Sequence, residues 1–142
     1  MYYLGIDIGA SSVKMAVVDA NGAVLRVLRR AHKGSPLPCL GALLGGLADA
    51  GDLPGECGCA VVTGSGADML RAAAPAVLEL EEVPALVKGV RALAPQAASV
   101  IGMGAQSGVF ATGFAHGSAP EFAMNESFAA GTGSFFEDQM QR

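Results

Sequence analysis

Apolar and polar positions alternate through the first thirty residues of the chain. The stretches 3–8, 13–18 and 23–30 each follow the two-residue period that is typical of half-buried strands. The dipeptide Asn21-Gly22 lies between the last two stretches and is typical of a type I′ hairpin turn, in which both residues have positive φ. The pattern therefore predicts three consecutive antiparallel strands.

The apolar period then changes to that of a helix. Residues 37–50 place leucines at helical spacing, and Gly51 marks a predicted helix end. The pattern next predicts a short buried strand, a short helix, a strand and a longer helix, at 59–62, 67–74, 77–80 and 82–93. The first part of the chain therefore has the predicted order β-β-β-α-β-α-β-α.

A second round of the same pattern follows. It predicts three strands and a helix, at 98–103, 109–114, 121–124 and 127–141. The segment 101–106 matches the segment 5–10 turn for turn, so the chain contains an internal repeat that opens a second β-β-β-α unit. Such a repeat is typical of two lobes that share a ligand-binding cleft, and the pattern as a whole predicts an α/β fold with a mixed sheet.

Composition narrows the classes of function. Of 142 residues, 51 % are apolar and 15 % are charged, which excludes a disordered chain. The formal net charge of −4 disfavours nucleic acid as a partner, because phosphate backbones require clustered Lys and Arg. No run approaches the ~18 apolar residues of a membrane span, and no signal peptide precedes the first strand. Three cysteines form no even disulfide framework, so we expect a reducing, cytoplasmic setting.

The first turn carries the strongest candidate chemistry. Asp7 ends a buried strand, where an unpaired carboxylate is costly, and a glycine-containing turn follows it directly. Backbone N–H groups of such a turn can bind phosphate oxygens, to which Ser11, Ser12 and Lys14 add donors. Asp7 could hold Mg²⁺ through water or orient an attacking water. The alternative is a plain hairpin whose polar residues satisfy the turn backbone.

Two later segments and the cysteines are weaker candidates. The turn Gly104-Ala105-Gln106 offers a similar backbone cradle without an acid, and Gly131-Thr132-Gly133 leads into a predicted helix whose start favours anions. Their alternatives are an ordinary hairpin and an ordinary helix start. Cys57 and Cys59 lack the second pair that a zinc site needs, so the thiols are interpreted as structural.

Five segments of the chain, in order, resemble the activator ATPases of 2-hydroxyacyl-CoA dehydratases and the related benzoyl-CoA reductase subunits (the BadF/BadG/BcrA/BcrD group). This group belongs to the acetate kinase, sugar kinase, Hsp70 and actin superfamily. The segments are LGIDIGASSVKMAVVD (4–19), VVTGSGADML (61–70), EEVPALVKGVRALAP (81–95), VIGMGAQSG (100–108) and AMNESFAAGTGSFFE (123–137). The last segment is the most specific of the five.

The resemblance implies an RNase H-like, actin- and Hsp70-type fold, with a first lobe at 1–96 and the opening of a second, incomplete lobe at 97–142. It also implies ATP or ADP with Mg²⁺ as ligand. Asp7 would serve the metal and the attacking water, as the catalytic residue. The remaining predicted nucleotide contacts are Gly9, Ala10, Ser11, Ser12, Lys14, Gly104, Ala105, Gln106, Gly131, Thr132 and Gly133.

In such activators a homodimer holds one [4Fe-4S] cluster, and ATP hydrolysis drives an electron into an acyl-CoA dehydratase or reductase partner. This chain departs from the pattern in two residues. Phe128 stands at the position of the cluster cysteine and cannot ligate iron. Gly102 stands at the position of the second acidic residue, and we expect its loss to weaken hydrolysis.

Three hypotheses follow from these residues. The first is the N-terminal part of an ATP-dependent activator, and the second is a non-catalytic relative that acts as a scaffold or regulatory partner. The third is a small-molecule kinase, such as a sugar kinase, which would need an acidic base where Gly102 stands. Because the β-β-β-α opening leaves a sheet edge and apolar surface uncovered, we also expect a homo-oligomer.

Overall fold

The chain divides into two compact units, Met1–Leu80 and Glu81–Arg142. The computed structural model describes residues 1–105, 108–114 and 120–124. The predicted helix at 127–141 lies outside these residues. The lobe boundary predicted after residue 96 stays a prediction, although the helix that precedes it groups with the second unit.

The first unit is built on a five-stranded mixed sheet in the order β3-β2-β1-β4-β5. The strands β1, β2 and β3 are antiparallel, whereas β4 runs parallel to β1 and β5 runs parallel to β4. The elements are β1 (Tyr2–Ile8), β2 (Ser12–Asp19), β3 (Val24–Ala31), α1 (Pro36–Asp49), β4 (Cys57–Thr63), α2 (Ala67–Ala73) and β5 (Leu78–Glu79).

One face of this sheet forms the core of the first unit. Alternate residues of β1, among them Ile6 and Ile8, are buried there, together with the leucines of α1 and with Leu70 of α2. The two-residue period of the strand and the three-to-four-residue period of the helix bring these side chains to one layer. Burial of each large apolar side chain contributes about 1.5–3 kcal/mol. The opposite face of β1 presents Tyr3, Gly5 and Asp7.

The β2–β3 connection differs from its prediction. Gly22 has a φ of +85°, but Asn21 does not have positive φ, so the prediction of a type I′ turn is wrong. A longer loop joins the two strands instead, and the Asp19 N–H donates to the Ala23 carbonyl at 2.9 Å across it. The Asp19 carboxylate accepts from the N–H groups of Asn21 and Ala23, both at 2.8 Å. These bonds, that from Ala23 above all, lower the pKa of Asp19. The acidic side chain before the turn therefore supplies the acceptor that selects this geometry.

The second unit contains a helix and a three-stranded antiparallel sheet in the order β6-β7-β8. The elements are α3 (Glu82–Leu93), β6 (Ser99–Met103), β7 (Gly108–Thr112) and β8 (Glu121–Met124). Val109 and Ala111 of β7 are buried. The predicted order of strands and helices is thereby confirmed for the described residues, and the fold is the predicted mixed α/β class. None of the described helices is long and apolar enough to cross a membrane.

Candidate functional site

A row of three polar side chains crosses the sheet of the first unit near the end of β1. Asp7 pairs with Lys14 on β2 and with Thr63 on β4. Because residues in register on neighbouring strands project from the same face, the ammonium, the carboxylate and the hydroxyl lie side by side. The sequence predicted the first two members of this row, and the parallel β1–β4 pairing adds the third.

Asp7 and Lys14 form an ion pair. The distance from Lys14 Nζ to Asp7 Oδ2 is 2.6 Å, and the side chains are 48 % and 33 % exposed for Lys14 and Asp7 respectively. Partly exposed pairs of this kind contribute about 0–1 kcal/mol to folding, so stability alone gives little reason for them. Both groups are open to solvent and can exchange their mutual contact for a charged ligand.

The second carboxylate oxygen of Asp7 faces the loop that follows β4. Gly64 in that loop has a φ of +90°. A Cβ at Gly64 would lie 2.5 Å from Asp7 Oδ1 and 2.6 Å from the Ile8 carbonyl oxygen, so no other residue fits without a shift of the backbone. Two residues on, the Gly66 N–H donates to the Ile8 carbonyl at 2.8 Å. The loop is therefore packed directly against the end of β1.

Thr63 carries an unsatisfied hydroxyl. Its Oγ1 is buried and has no hydrogen-bond partner among the residues that the structure describes. A buried hydroxyl without a partner costs about 1–3 kcal/mol, and proteins satisfy nearly all such groups. An orphan hydroxyl in register with a carboxylate is consistent with a ligand or an ordered water that completes the row.

The turn between β1 and β2 borders the same row. The Gly9 N–H donates to the Ser12 carbonyl at 3.1 Å, which closes the turn, and Ser12 is buried at 4 % exposure whereas Ala10 is exposed. The first unit thus brings together all the predicted site residues of the first motif. These are Asp7, Gly9, Ala10, Ser11, Ser12 and Lys14.

His32 lies directly after β3 and contacts the same turn, although the sequence pattern did not predict it as a site residue. Its ring Nε2 lies 3.1 Å from the Gly9 carbonyl oxygen, and the Gly34 N–H donates to Nδ1 at 3.1 Å. Its backbone N–H donates to the Ser11 carbonyl at 3.1 Å. The Gly9 and Ser11 carbonyls are distant from His32 in sequence, so no periodicity could have revealed these two contacts. The only local signal was the Lys33-Gly34 pair, which the structure shows with positive φ at both residues.

The second motif differs at the position that matches Asp7. A Cβ at Gly102 would lie 2.8 Å from Val109 Cγ1 and 3.5 Å from Leu86 Cδ2. The acid is therefore absent, and the space that its side chain would need is filled by apolar atoms. Gly104 and Ala105 follow β6, and their role stays a prediction. The predicted residues Gln106, Phe128, Gly131, Thr132 and Gly133 lie outside the described residues.

The described cysteines do not assemble a metal site. Cys39 is buried, Cys57 is exposed and Cys59 is half-buried, and all three are free thiols. Within residues 1–105, 108–114 and 120–124, no group of three or more His, Cys, Asp or Glu side chains converges on a point that could hold a metal ion. Cation binding at Asp7 would thus depend on water and ligand oxygens as well as on the carboxylate.

The fold is that of the ATPases of the actin, Hsp70 and sugar kinase type. Among solved structures, the chain is similar to the activator of the 2-hydroxyisocaproyl-CoA dehydratase from Clostridium difficile with bound ADPNP, at 24 % identity and a TM-score of 0.77. That match covers 99 % of this chain and 52 % of the other. The chain is also similar to component A of the Acidaminococcus fermentans (R)-2-hydroxyglutaryl-CoA dehydratase, at 24 % identity and a TM-score of 0.76. This second match covers 96 % of this chain and 52 % of the other.

A more distant similarity connects the chain to a ROK family glucokinase from Streptomyces griseus, solved with glucose and AMPPNP. Here the identity is 15 % and the TM-score 0.54, over 90 % of this chain and 49 % of the other. The chain spans about half the length of the two activator chains that it matches. No protein-family model matches the chain, and no curated protein sequence matches it. The comparisons thus establish the fold.

Proposed function

We propose that the end of β1 binds the phosphates of ATP or ADP together with Mg²⁺. The observation that carries this proposal is the row of Lys14, Asp7 and Thr63 beside the turn at residues 9–12. The row offers a cation for phosphate and oxygen ligands for a hard divalent ion, and the turn offers backbone N–H groups. The space beside Asp7 Oδ1 that a Cβ at Gly64 would fill and the orphan Thr63 hydroxyl both fit such a ligand.

Each residue has a distinct task in this proposal. When bound, Mg²⁺ neutralises phosphate charge and keeps several of its own waters. Asp7 orients those waters through its carboxylate and thereby holds the ion. Lys14, now paired with Asp7, supplies up to three N–H donors to phosphate oxygens. Thr63 accepts from, or donates to, a water in the same shell, which satisfies its hydroxyl.

We further propose that the chain is part of an ATP-dependent activator. Its support is the similarity over nearly its whole length to two activators of 2-hydroxyacyl-CoA dehydratases, one of them solved with ADPNP. Its partner would be an acyl-CoA dehydratase or reductase component, and it would act as a homo-oligomer. The further nucleotide contacts in this proposal are Gly104, Ala105, Gln106, Gly131, Thr132 and Gly133.

An iron–sulfur cluster does not fit the residues of this chain. Phe128, at the position that the family fills with a cluster cysteine, has no donor atom for iron. The three cysteines of the sequence, Cys39, Cys57 and Cys59, lie in α1 and β4 of the first unit. Electron transfer through a cluster held by this chain is therefore not part of the proposal.

A second candidate is a relative that binds nucleotide without hydrolysing it. The packing at Gly102 favours it, because Val109 and Leu86 occupy the space of the second acidic residue. The same packing disfavours a sugar kinase, which would need an acidic base at that position. The two remaining candidates share nucleotide binding and differ in phosphate release.

The test is isothermal titration of the protein with ATP and ADP, in Mg²⁺ and in EDTA. We expect saturable, Mg²⁺-dependent binding that Asp7→Asn weakens by about tenfold or more, the effect typical of losing a residue that orients metal-bound water. The matched control is Asp49→Asn, an exposed carboxylate at the end of α1, which should leave the affinity unchanged. Absence of binding by the unchanged protein would contradict nucleotide binding, and phosphate release with bound ATP separates the two candidates.

A further inference from the structure

We propose that His32 is a positioning residue for the phosphate-binding turn. Its ring and its backbone hold the carbonyls of Gly9 and Ser11, and thereby direct the N–H groups of Ala10 and Ser12 toward an anion. This inference rests on the proposed binding of phosphate at residues 9–12. It assigns to one loop histidine the orientation of the backbone donors, a role distinct from those of Asp7 and Lys14.

Two alternate carbonyls of the turn are held by one residue, His32. The Gly9 oxygen accepts from His32 Nε2 at 3.1 Å, and the Ser11 oxygen accepts from the His32 N–H at 3.1 Å. In an ordinary two-residue hairpin the Gly9 carbonyl would accept from the Ser12 N–H. Here the imidazole takes that carbonyl, and the turn closes through the Gly9 N–H and the Ser12 oxygen.

The planar trans peptide couples the direction of each carbonyl to that of the next N–H group. In a trans peptide the carbonyl of one residue and the N–H of the next point in opposite directions, and no cis bond occurs among the described residues. Holding the Gly9 carbonyl toward His32 therefore directs the Ala10 N–H away from His32. Holding the Ser11 carbonyl directs the Ser12 N–H away in the same manner. Two N–H groups of one turn that are fixed in this way are available to phosphate oxygens.

The contact at Nδ1 determines which tautomer the His32 ring adopts. Because the Gly34 N–H donates to Nδ1, that nitrogen is the acceptor, and the proton of a neutral imidazole lies on Nε2. Nε2 can then donate to the Gly9 carbonyl. Lys33 and Gly34, with φ of +47° and +86°, bend the chain so that the Gly34 N–H reaches the ring. The loop thus selects the tautomer that the turn requires.

The structure offers a matched set of substitutions. His32→Gln places an amide N–H as many bonds from the backbone as Nε2, so it retains a donor for Gly9. His32→Asn retains an acceptor at the position of Nδ1 for Gly34 but does not reach Gly9. His32→Ala removes both. If the residue only stabilises its own loop through Nδ1, Asn should retain the affinity and Gln should lose it, whereas the positioning role predicts the reverse order.

The experiment titrates each variant with Mg-ATP and with inorganic tripolyphosphate, and records thermal unfolding in parallel. We expect His32→Asn and His32→Ala to weaken both ligands by about tenfold, the effect of one lost hydrogen bond, and His32→Gln to stay within about threefold of the unchanged protein. Equal affinities in all variants, or losses that follow only the unfolding temperature, would overturn the proposal.

A second measurement tests the ring without any ligand. Long-range ¹H–¹⁵N correlation spectra of the free protein should show the His32 ring with its proton on Nε2, and His32 should be identified by its absence from the His32→Gln spectrum. A ring protonated on Nδ1 alone would overturn the positioning role even if nucleotide binds. Failure of the unchanged protein to bind either ligand would instead overturn the proposed function, so the two failures are distinguishable.

Discussion

The β1–β2 and β6–β7 hairpins share a backbone pattern and differ in chemistry. Ile8 pairs with Val13 and Met103 pairs with Gly108, so the last pair of each hairpin is separated by the same number of residues along the chain. One step further from each loop, the first hairpin pairs Asp7 with Lys14, whereas the second pairs Gly102 with Val109. The repeat therefore retains the hairpin but loses both charges of the pair.

This difference separates the positions that both hairpins share from those that belong to the proposed site. Small residues and alternation are sufficient for a hairpin, and both copies have them. The ion pair contributes little to stability at its exposure, and its presence in one copy alone supports the proposed role in phosphate binding. In the other copy, Val109 fills the space of the missing carboxylate, which makes that position part of an apolar layer.

The largest expected effect concerns the glycine that packs against the first hairpin. Gly64→Ala should lower the free energy of unfolding by about 3 kcal/mol or more, because positive φ and close contact with Asp7 and the Ile8 backbone add together. Urea unfolding of both proteins measures this loss in the free energy of unfolding. Gly22→Ala is the matched control, since its φ is +85° but nothing lies within 4 Å of its Cβ position. The control should lose only about 1–2 kcal/mol, and equal losses would show that the contact with β1 is unimportant.

An intermediate effect is expected from placing the missing acid in the second hairpin. Gly102→Asp should lower the free energy of unfolding by about 1–3 kcal/mol, because its Cβ meets Val109 Cγ1 at 2.8 Å and its carboxylate enters an apolar layer. Gly5→Asp, in β1 with nothing within 4 Å, is the control and should cost less. If Gly102→Asp is tolerated as well as Gly5→Asp, the second hairpin has room for an acid and the contrast between the two hairpins fails.

The smallest expected effect concerns the orphan hydroxyl beside Asp7. Thr63→Val should leave the free energy of unfolding unchanged or raise it by about 1 kcal/mol, since it removes a buried group without a partner, and should weaken Mg-ATP binding. Thr112→Val is the control, because Thr112 Oγ1 lies 2.9 Å from Ser99 Oγ, and its loss should cost about 0.5–1.5 kcal/mol. A loss of stability at Thr63 equal to that at Thr112 would mean that the hydroxyl has a partner in the folded chain.

The sequence predicted the elements well because they depend on local patterns. Alternation in 3–8 and 13–18 and the helical spacing in 37–50 each express one buried face, and the structure has strands and a helix there. The prediction for the β2–β3 turn was wrong because the Asp19 side chain, rather than the Asn21-Gly22 pair, determines the geometry of this turn. A side-chain acceptor competes with backbone preferences, and residue identity at the turn does not show which prevails.

By itself, the sequence determined the order of strands and helices, because each element has its own hydrophobic period. It also determined the first motif, because Asp7, the turn that follows it and Lys14 lie within eight positions of one another. Only the tertiary structure decided that Thr63 and Gly64 lie against Asp7 and that His32 holds the turn. Parallel pairing of β1 with β4 joins residues more than fifty positions apart. Such contacts depend on register and on backbone hydrogen bonds between distant segments, which leave no periodic signal in the chain.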